Sequence, residues 1–257
     1  MNFTGTGGWQ RVSVGGTKAT ATNILRSYVR TRSTAQAITF YVDDALNENA
    51  PALSDYFDGS ISPDPDLTAA WTGAANQSES VLSAQKPSDF TSGSATNLMY
   101  FQSSSWKSTG ANSVRLRSAY TATDPGSFIS VNNLNAQLVT GRTYTAVAKV
   151  RLEAPLSGAL RSERLRLQIR TTGGAVAADS NTPPNEAGEY EVRVTWTHNG
   201  NSSLRLYHGG VQGSGDVWFD DLMVVEGTYT GPARNGDSPN WIWNGTPHAS
   251  TSTGPGQ

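Results

Sequence analysis

Two pairs of adjacent acids, Asp43-Asp44 and Asp220-Asp221, are the residues in this chain best suited to chemistry. Two carboxylates flanking a bond can hydrolyse a glycoside, one as acid and the other as base or nucleophile. Each pair, however, sits in a run that reads as a strand, Phe40-Tyr41-Val42-Asp43-Asp44 and Val217-Trp218-Phe219-Asp220-Asp221. Neighbours on a strand point to opposite faces, so neither pair is expected to straddle one glycosidic bond. Two other uses stay open. The acids can accept hydrogen bonds from turn amides, or bind a hard cation such as a structural calcium through oxygen. For the cation Asp220 is favoured over Asp221, with backbone carbonyls supplying most other ligands. His198, His208 and His248 have no close metal-ligand spacing, and the chain has no cysteine. It contains neither a Gly-x-Ser-x-Gly elbow nor a Gly-x-x-x-x-Gly-Lys-Ser/Thr phosphate loop. The chain therefore reads as non-enzymatic and requiring no cofactor.

Aromatic residues offer a different use. Tyr100, Phe101 and Trp106 precede a strand beginning at Ser113, Tyr120 follows it, and Tyr207 closes a later one. A flat ring among polar side chains holds the apolar face of a sugar in a shallow site. Tyr100, Trp106, Tyr120 and Tyr207 are accordingly the candidate glycan-binding residues. Trp106 lies in the polar run Ser103-Ser104-Ser105-Trp106-Lys107-Ser108, and its alternative use is to plug a sandwich edge. Arg115 and Arg117 alternate along one strand, and Arg166 and Arg170 share a side of another with Gln168 between them. Both patterns read as solvated faces.

The elements that must position these groups are short strands. Val114 and Leu116 oppose Arg115 and Arg117; Leu165, Leu167 and Ile169 oppose Arg166, Gln168 and Arg170; Val192, Val194 and Trp196 oppose Glu191, Arg193 and Thr195. Such period-two runs give each strand one core face and one face for water or a ligand. Strands are expected at Ser113 to Arg117, Ser127 to Val131, Tyr144 to Leu152, Leu165 to Thr171, Tyr190 to Thr197, Ser203 to Tyr207 and Val217 to Val225. Turns such as Asp124-Pro125-Gly126 and His198-Asn199-Gly200 separate them. Helical periodicity is confined to Ala21 to Leu25 and Asn133 to Leu138. Many short antiparallel strands bury their apolar faces best as two packed sheets, so the expected fold is all-β, an antiparallel β-sandwich of jelly-roll type.

The chain also repeats itself. A strand, an acidic pair and a stretch ending in Trp-x-Gly run from Phe40 to Trp71-Thr72-Gly73, and return from Val217 to Trp243-Asn244-Gly245. The tails correspond too, Asn76-Gln77-Ser78-Glu79-Ser80 with His248-Ala249-Ser250-Thr251-Ser252. So long a period indicates duplicated domains. Residues 1–50 read as the C-terminal half of one sandwich, 92–230 as a complete one, and 51–91 and 231–257 as the segments that follow each. Tyr56, Phe57 and Trp71 can bury apolar area, which favours an ordered clasp over a flexible linker. Half a sandwich exposes sheet edges and an apolar face, so self-association or assembly onto a larger neighbour is expected.

Charge narrows the partners. Lys and Arg number 19 against 21 Asp and Glu, a formal net charge of -2, which gives no basic surface for nucleic acid. Nothing approaches the length of a membrane span. Met1-Asn2-Phe3-Thr4-Gly5 lacks the basic-then-apolar pattern of a secretion signal.

The unit from about Ser92 to Glu226 resembles the jelly-roll carbohydrate-binding modules attached to glycoside hydrolases. Asn97-Leu98, Trp106, Ser113-Val114-Arg115-Leu116 and the closing Gly215-Asp216-Val217-Trp218-Phe219-Asp220-Asp221-Leu222 carry the likeness. It implies glycan binding on a concave sheet or at loop tips, and a structural calcium near the closing acidic strand. The opening Asn-Pro-Gly/Ser-Phe-Glu of that family is replaced by Leu98-Met99-Tyr100-Phe101-Gln102, which weakens the calcium assignment. Tyr56-Phe57-Asp58-Gly59 followed by Trp71-Thr72-Gly73 and a Ser-rich stretch is similar to segments of minor tail proteins in phages of actinobacteria. That resemblance implies a virion component at the tail or baseplate, partnered by other virion proteins and by a host envelope glycan. A decoration protein on the phage head, or an accessory carbohydrate-binding module of a secreted glycoside hydrolase, are the alternatives.

Overall fold

The computed structural model describes residues 60, 62, 64–75, 78, 80–92, 98–118, 127–156, 165–171, 174–210, 215–248 and 252–255. The partial sandwich expected over 1–50, with Asp43-Asp44, lies outside them, and so do Tyr56, Phe57 and the candidate Tyr120.

The strands in chain order are β1 (Thr68–Trp71), β2 (Ser80–Ser83), β3 (Phe90–Ser92), β4 (Leu98–Ser103), β5 (Ser113–Ser118), β6 (Ser127–Val131) and β7 (Thr143–Leu152). They continue as β8 (Leu165–Thr171), β9 (Val176–Asp179), β10 (Gly188–Thr197), β11 (Ser202–His208), β12 (Val217–Glu226), β13 (Ile242–Trp243) and β14 (Ser252–Thr253). Two five-stranded antiparallel sheets pack face to face. The first runs β10-β7-β12-β5-β4 and the second β3-β6-β11-β8-β9. Every strand expected within the complete unit is present within two residues of its expected ends. The helical signal at Asn133 to Leu138 becomes a single 3-10 turn, Leu134–Gln137.

Alternation builds the core. Leu116, Val150, Leu152, Val192, Val194, Val217 and Phe219 of the first sheet meet Ile129, Leu165, Leu167, Ile169, Leu204 and Leu206 of the second. A fully buried aliphatic or aromatic side chain contributes about 1.5–3 kcal/mol, and this interior supplies the main cohesion between the layers. Strand β4 lacked a period-two signal because both of its faces are covered. Tyr100 points into the core and Phe101 points outward, and both are buried.

The repeat is visible as structure in the two segments flanking the sandwich. Strands β1 and β2 form a hairpin in which Trp71 pairs with Ser80. Strands β13 and β14 form another in which Trp243 pairs with Ser252. The residues matched by the sequence repeat thus hold matching places in two hairpins. In each, the Trp-x-Gly leads out of the first strand into the connecting loop.

Strand β12 carries a bulge between Asp220 and Met223, and Asp221 sits there at a φ of 46°. A bulge re-aims side chains that simple alternation would keep apart. Just before β12, Gly215 lies against the backbone of Ala154. A Cβ there would come within 2.7 Å of both the nitrogen and the oxygen of Ala154. Only glycine permits that approach, and it delivers the next residue, Asp216, beneath strand β5.

Candidate functional site

The outer face of the first sheet is closed by its flanking segments. Arg115 and Arg117 project from β5 as alternation requires, yet they are not solvated. Arg115 donates from one Nη to Asp64 Oδ1 and Asp66 Oδ2, both at 2.9 Å, and from Nε to Asp216 Oδ2 at 2.6 Å. Arg117 reaches Asp64 Oδ2 at 2.7 Å and Asp216 Oδ2 at 2.8 Å. Phe101 and Trp218 lie beside the Arg115 guanidinium, with ring centroids 5.3 and 5.0 Å away. The expectation of a solvated Arg face on β5 is therefore overturned. The physical reason is a matched set of acids on the segment before the sandwich, spaced by two like the arginines they meet.

Asp66 is the most heavily engaged of these acids. It also accepts from the Ser103 hydroxyl at 2.6 Å, the Ser104 amide at 2.9 Å and the Ser105 hydroxyl. Burial pushes its pKa up, but these donors and Arg115 outweigh that and hold it at about 2. The same opposition leaves Asp64 below the usual carboxylate range. The second flanking segment docks mainly by apolar contact. Ala233 packs on Val147 and Met223, with Tyr229 and Trp241 at its margin. The Ala233 amide donates to Glu191, and Arg193 donates to the carbonyls of Tyr229 and Gly231.

The Asp220-Asp221 pair belongs to this closed face. Asp220 Oδ2 accepts the amides of Ser108 at 2.6 Å and Thr109 at 3.1 Å, and its Oδ1 accepts the Asp221 amide at 2.8 Å. Asp221 Oδ1 accepts from the Thr109 hydroxyl and from Asn235 Nδ2. Through the bulge, both carboxylates turn to the same residue, Thr109, which corrects the opposite-face expectation. Burial raises the Asp220 pKa, and the Asp221 charge adds to it against the lowering by the three amides. These surroundings offer amide hydrogens where calcium would need oxygens, so the donor set does not fit Asp220 as a cation ligand. Among the described residues, no group of three or more His, Cys, Asp or Glu side chains is placed to hold a metal.

All three aromatic candidates among the described residues are buried. Tyr100 is 8% exposed in the core, its hydroxyl donating to the Phe90 carbonyl at 3.3 Å. Trp106 is 7% exposed and its indole N–H donates to Glu189 Oε1 at 2.8 Å. Neither ring presents a face to a sugar, and Trp106 takes up its alternative as an edge plug. His208 is buried as well. Gly210 donates an amide to its Nδ1, and its Nε2 faces the Gly215 carbonyl at 2.9 Å. Burial lowers its pKa, so it is held as a neutral imidazole within the fold.

Tyr207 is just as buried, at 6% exposed, but lies on the outward side of the second sheet. Its β11 neighbours Leu204 and Leu206 point into the core, so Tyr207 and Arg205 face outward from the second sheet. Register sets Tyr207 beside Phe128 on β6 and Arg166 on β8, and Arg205 beside Ser130 and Gln168. The rings of Tyr207 and Phe128 lie 5.2 Å apart. Arg166 covers the Tyr207 ring at 5.0 Å and Arg205 the Phe128 ring at 3.9 Å. Gln168, fully buried, donates to Asp179 at 2.8 Å and accepts from Arg170 Nε at 2.5 Å. The result is a buried floor of Tyr207, Arg166 and Gln168 beneath half-buried Phe128, Arg205, Arg170, Ser130 and Ser203. Sequence reasoning singled out Tyr207 but missed Phe128 and Arg205. Their signal was positional: each lies one residue from a core side chain on a period-two strand.

No protein-family model matches the chain, and no curated protein matches it in sequence. Solved structures similar to it include carbohydrate-binding modules. The CBM22-1 xylan-binding domain of Paenibacillus barcinonensis Xyn10C is 13% identical over 57% of this chain and 90% of that one, with a TM-score of 0.36. A CBM4 module is 14% identical over 55% and 96%, with a TM-score of 0.38. The CBM22-1-GH10 modules of Clostridium thermocellum Xyn10B, complexed with xylohexaose, are 14% identical over 58% and 28%, with a TM-score of 0.41. At these values the likeness concerns architecture and carries nothing about ligands.

Proposed function

We propose that the chain is a non-enzymatic structural protein of a tailed-phage particle, in the tail or baseplate, whose complete sandwich holds a glycan on the outer face of its second sheet. The observation that carries the glycan part is the half-buried Phe128 ring, backed by the buried Tyr207, within a row of Arg, Gln and Ser side chains. Aromatic area flanked by hydrogen-bonding groups suits a hydrated ligand that is partly apolar. On the opposite sheet the outward Arg115 and Arg117 are engaged by Asp64 and Asp66 of the preceding segment and by Asp216. The described acids of that face serve as hydrogen-bond acceptors and ion-pair partners, which favours binding over catalysis.

The virion part rests on the resemblance of the flanking segments to recurring pieces of minor tail proteins. The paired hairpins support it as one unit used twice, each suited to clasping a sandwich. Many copies on one particle would give avidity even where a single site is weak.

Affinity electrophoresis of the full chain through gels containing polysaccharides tests the glycan part, with Tyr207→Leu as the variant that keeps apolar volume but removes the ring. Retardation of the parent chain, lost in a folded Tyr207→Leu, is the expected result. Unchanged retardation would remove Tyr207 from the site. Mass spectrometry of purified particles tests the location. Finding the polypeptide at the tail supports the proposal, at the head it favours a decoration role, and fused to a glycoside hydrolase it favours an accessory module.

A further inference from the structure

We infer that the ligand of the second sheet is an anionic glycan, one bearing carboxylates or phosphates, and that Arg205 is its principal contact. The inference rests on the glycan reading above and names the substrate class. A platform for neutral sugars leaves its ring faces free for stacking. Here a guanidinium lies over each ring, Arg205 on Phe128 and Arg166 on Tyr207. What the face offers a ligand is therefore guanidinium N–H as much as aromatic carbon.

Among the described residues of this face, arginines outnumber acids. Arg166, Arg170 and Arg205 share it with one described acid, Asp179 of β9, which pairs with Arg166 at 3.1 Å. Arg170 is held by neutral acceptors, the Gln168 amide oxygen and the Gly174 carbonyl. Arg205 has no hydrogen bond or ion pair among the described residues, and its buried Nε is without a partner. A buried donor left unsatisfied is costly, and a planar fork of guanidinium donors matches carboxylate or phosphate oxygens. An anionic group bridging Arg205 and Arg170 would complete the set. Single-stranded nucleic acid also combines phosphates with stacking bases, but the chain's net charge of -2 favours the glycan.

The test is isothermal titration of the full chain with four polymers at low and high salt. These are polygalacturonate, poly(glycerol phosphate), a neutral β-1,4-glucan and oligothymidylate. The expected result is binding of polygalacturonate or poly(glycerol phosphate) at least about tenfold tighter than the neutral glucan at low salt, weakening as salt rises. Which of the two binds identifies the anionic group. Arg205→Gln should lose about tenfold on that polymer, and Arg205→Lys, which keeps charge but not the fork, should lose less. Arg142→Gln, on a distant exposed ion pair, should change nothing. Equal affinity for neutral and anionic glycans, unmoved by either Arg205 variant, overturns the inference and leaves the glycan reading standing. Tighter binding of oligothymidylate overturns the inference, and binding of no glycan overturns both. If Arg205→Gln fails to fold, the Arg205→Lys titration and the salt dependence decide.

Discussion

On β5 the outward Arg115 and Arg117 meet three carboxylates, Asp64, Asp66 and Asp216. On β8 and β11 the outward Arg166, Arg170 and Arg205 have one acid among the described residues, Asp179, which pairs with Arg166. The same residue type, arranged by the same strand alternation, serves two purposes on opposite sides of one sandwich. In the first, desolvated charge is matched by Asp216 of the sandwich and by Asp64 and Asp66 from outside it, so the arginines fasten a flanking segment. In the second, guanidiniums lie on aromatic rings with donors to spare, so the face is prepared for something not of this chain. The presence or absence of a matching acid among the described residues, more than charge itself, separates Arg205 from Arg115 and Arg117.

Substitution on β5 should produce the largest effect. Arg115→Met strips the shared partner from three buried or half-buried acids, and removing one member of such a set typically costs about 3–5 kcal/mol. Urea unfolding followed by tryptophan fluorescence should show a loss of that order. A change below about 1 kcal/mol would mean the cluster is as solvated as a surface pair.

A smaller and local effect is expected from Asp64→Asn combined with Asp66→Asn. Hydrogen exchange should rise in Thr68–Trp71 while the sandwich strands keep their protection. Exchange rising equally in β7 and β12 would make the segment part of the core rather than a clasp.

The same pair governs a pH dependence. Asp66, at about 2, and Asp64, also lowered, bind protons less readily when folded than at their ordinary 3.8. Their contribution is therefore full above about pH 4 and is lost as pH falls toward 2. His208, depressed by burial from 6.5, adds a separate loss beginning as pH falls below that value, because the unfolded chain takes up the proton first. Asp220, raised, works in the opposite direction. Thermal midpoints measured from pH 8 to pH 2 should show both declines in the parent chain. The double Asn variant should keep the His208 decline and lose most of the lower one.

The smallest effect belongs to the other face. Arg205→Gln should alter stability by no more than about 1 kcal/mol, since Arg205 contacts the Phe128 ring but has no hydrogen bond or ion pair among the described residues. A loss comparable to Arg115→Met in the same urea series would erase the distinction between the faces.

Much of the sandwich was legible because one face of most strands is apolar and the other polar. The hairpins were legible from the Trp71 and Trp243 repeat, with the pairings to Ser80 and Ser252 falling where the matched tails put them. What escaped was whatever depends on contacts distant in sequence. Arg115 and Arg117 looked solvated because their acids are distant in sequence, Asp64 and Asp66 about fifty residues upstream and Asp216 about a hundred downstream. Strand β4 was hidden because Phe101 is buried on the outward side beneath those same arginines. The Asp220-Asp221 geometry required the bulge, which alternation cannot anticipate. Composition flagged Trp106 and Tyr207 alike. Only the fold distinguishes a ring tied to Glu189 at a closed edge from one beside Phe128 on the second sheet.

The most direct measurement is hydrogen–deuterium exchange of the full chain with and without the anionic polymer that binds it. Protection should increase in Ser127–Val131, Leu165–Thr171 and Ser202–His208, with Ser113–Ser118 and Thr68–Trp71 unchanged. Protection confined to β5 and the flanking hairpins, with β6, β8 and β11 unaffected, would contradict the assignment of the two faces.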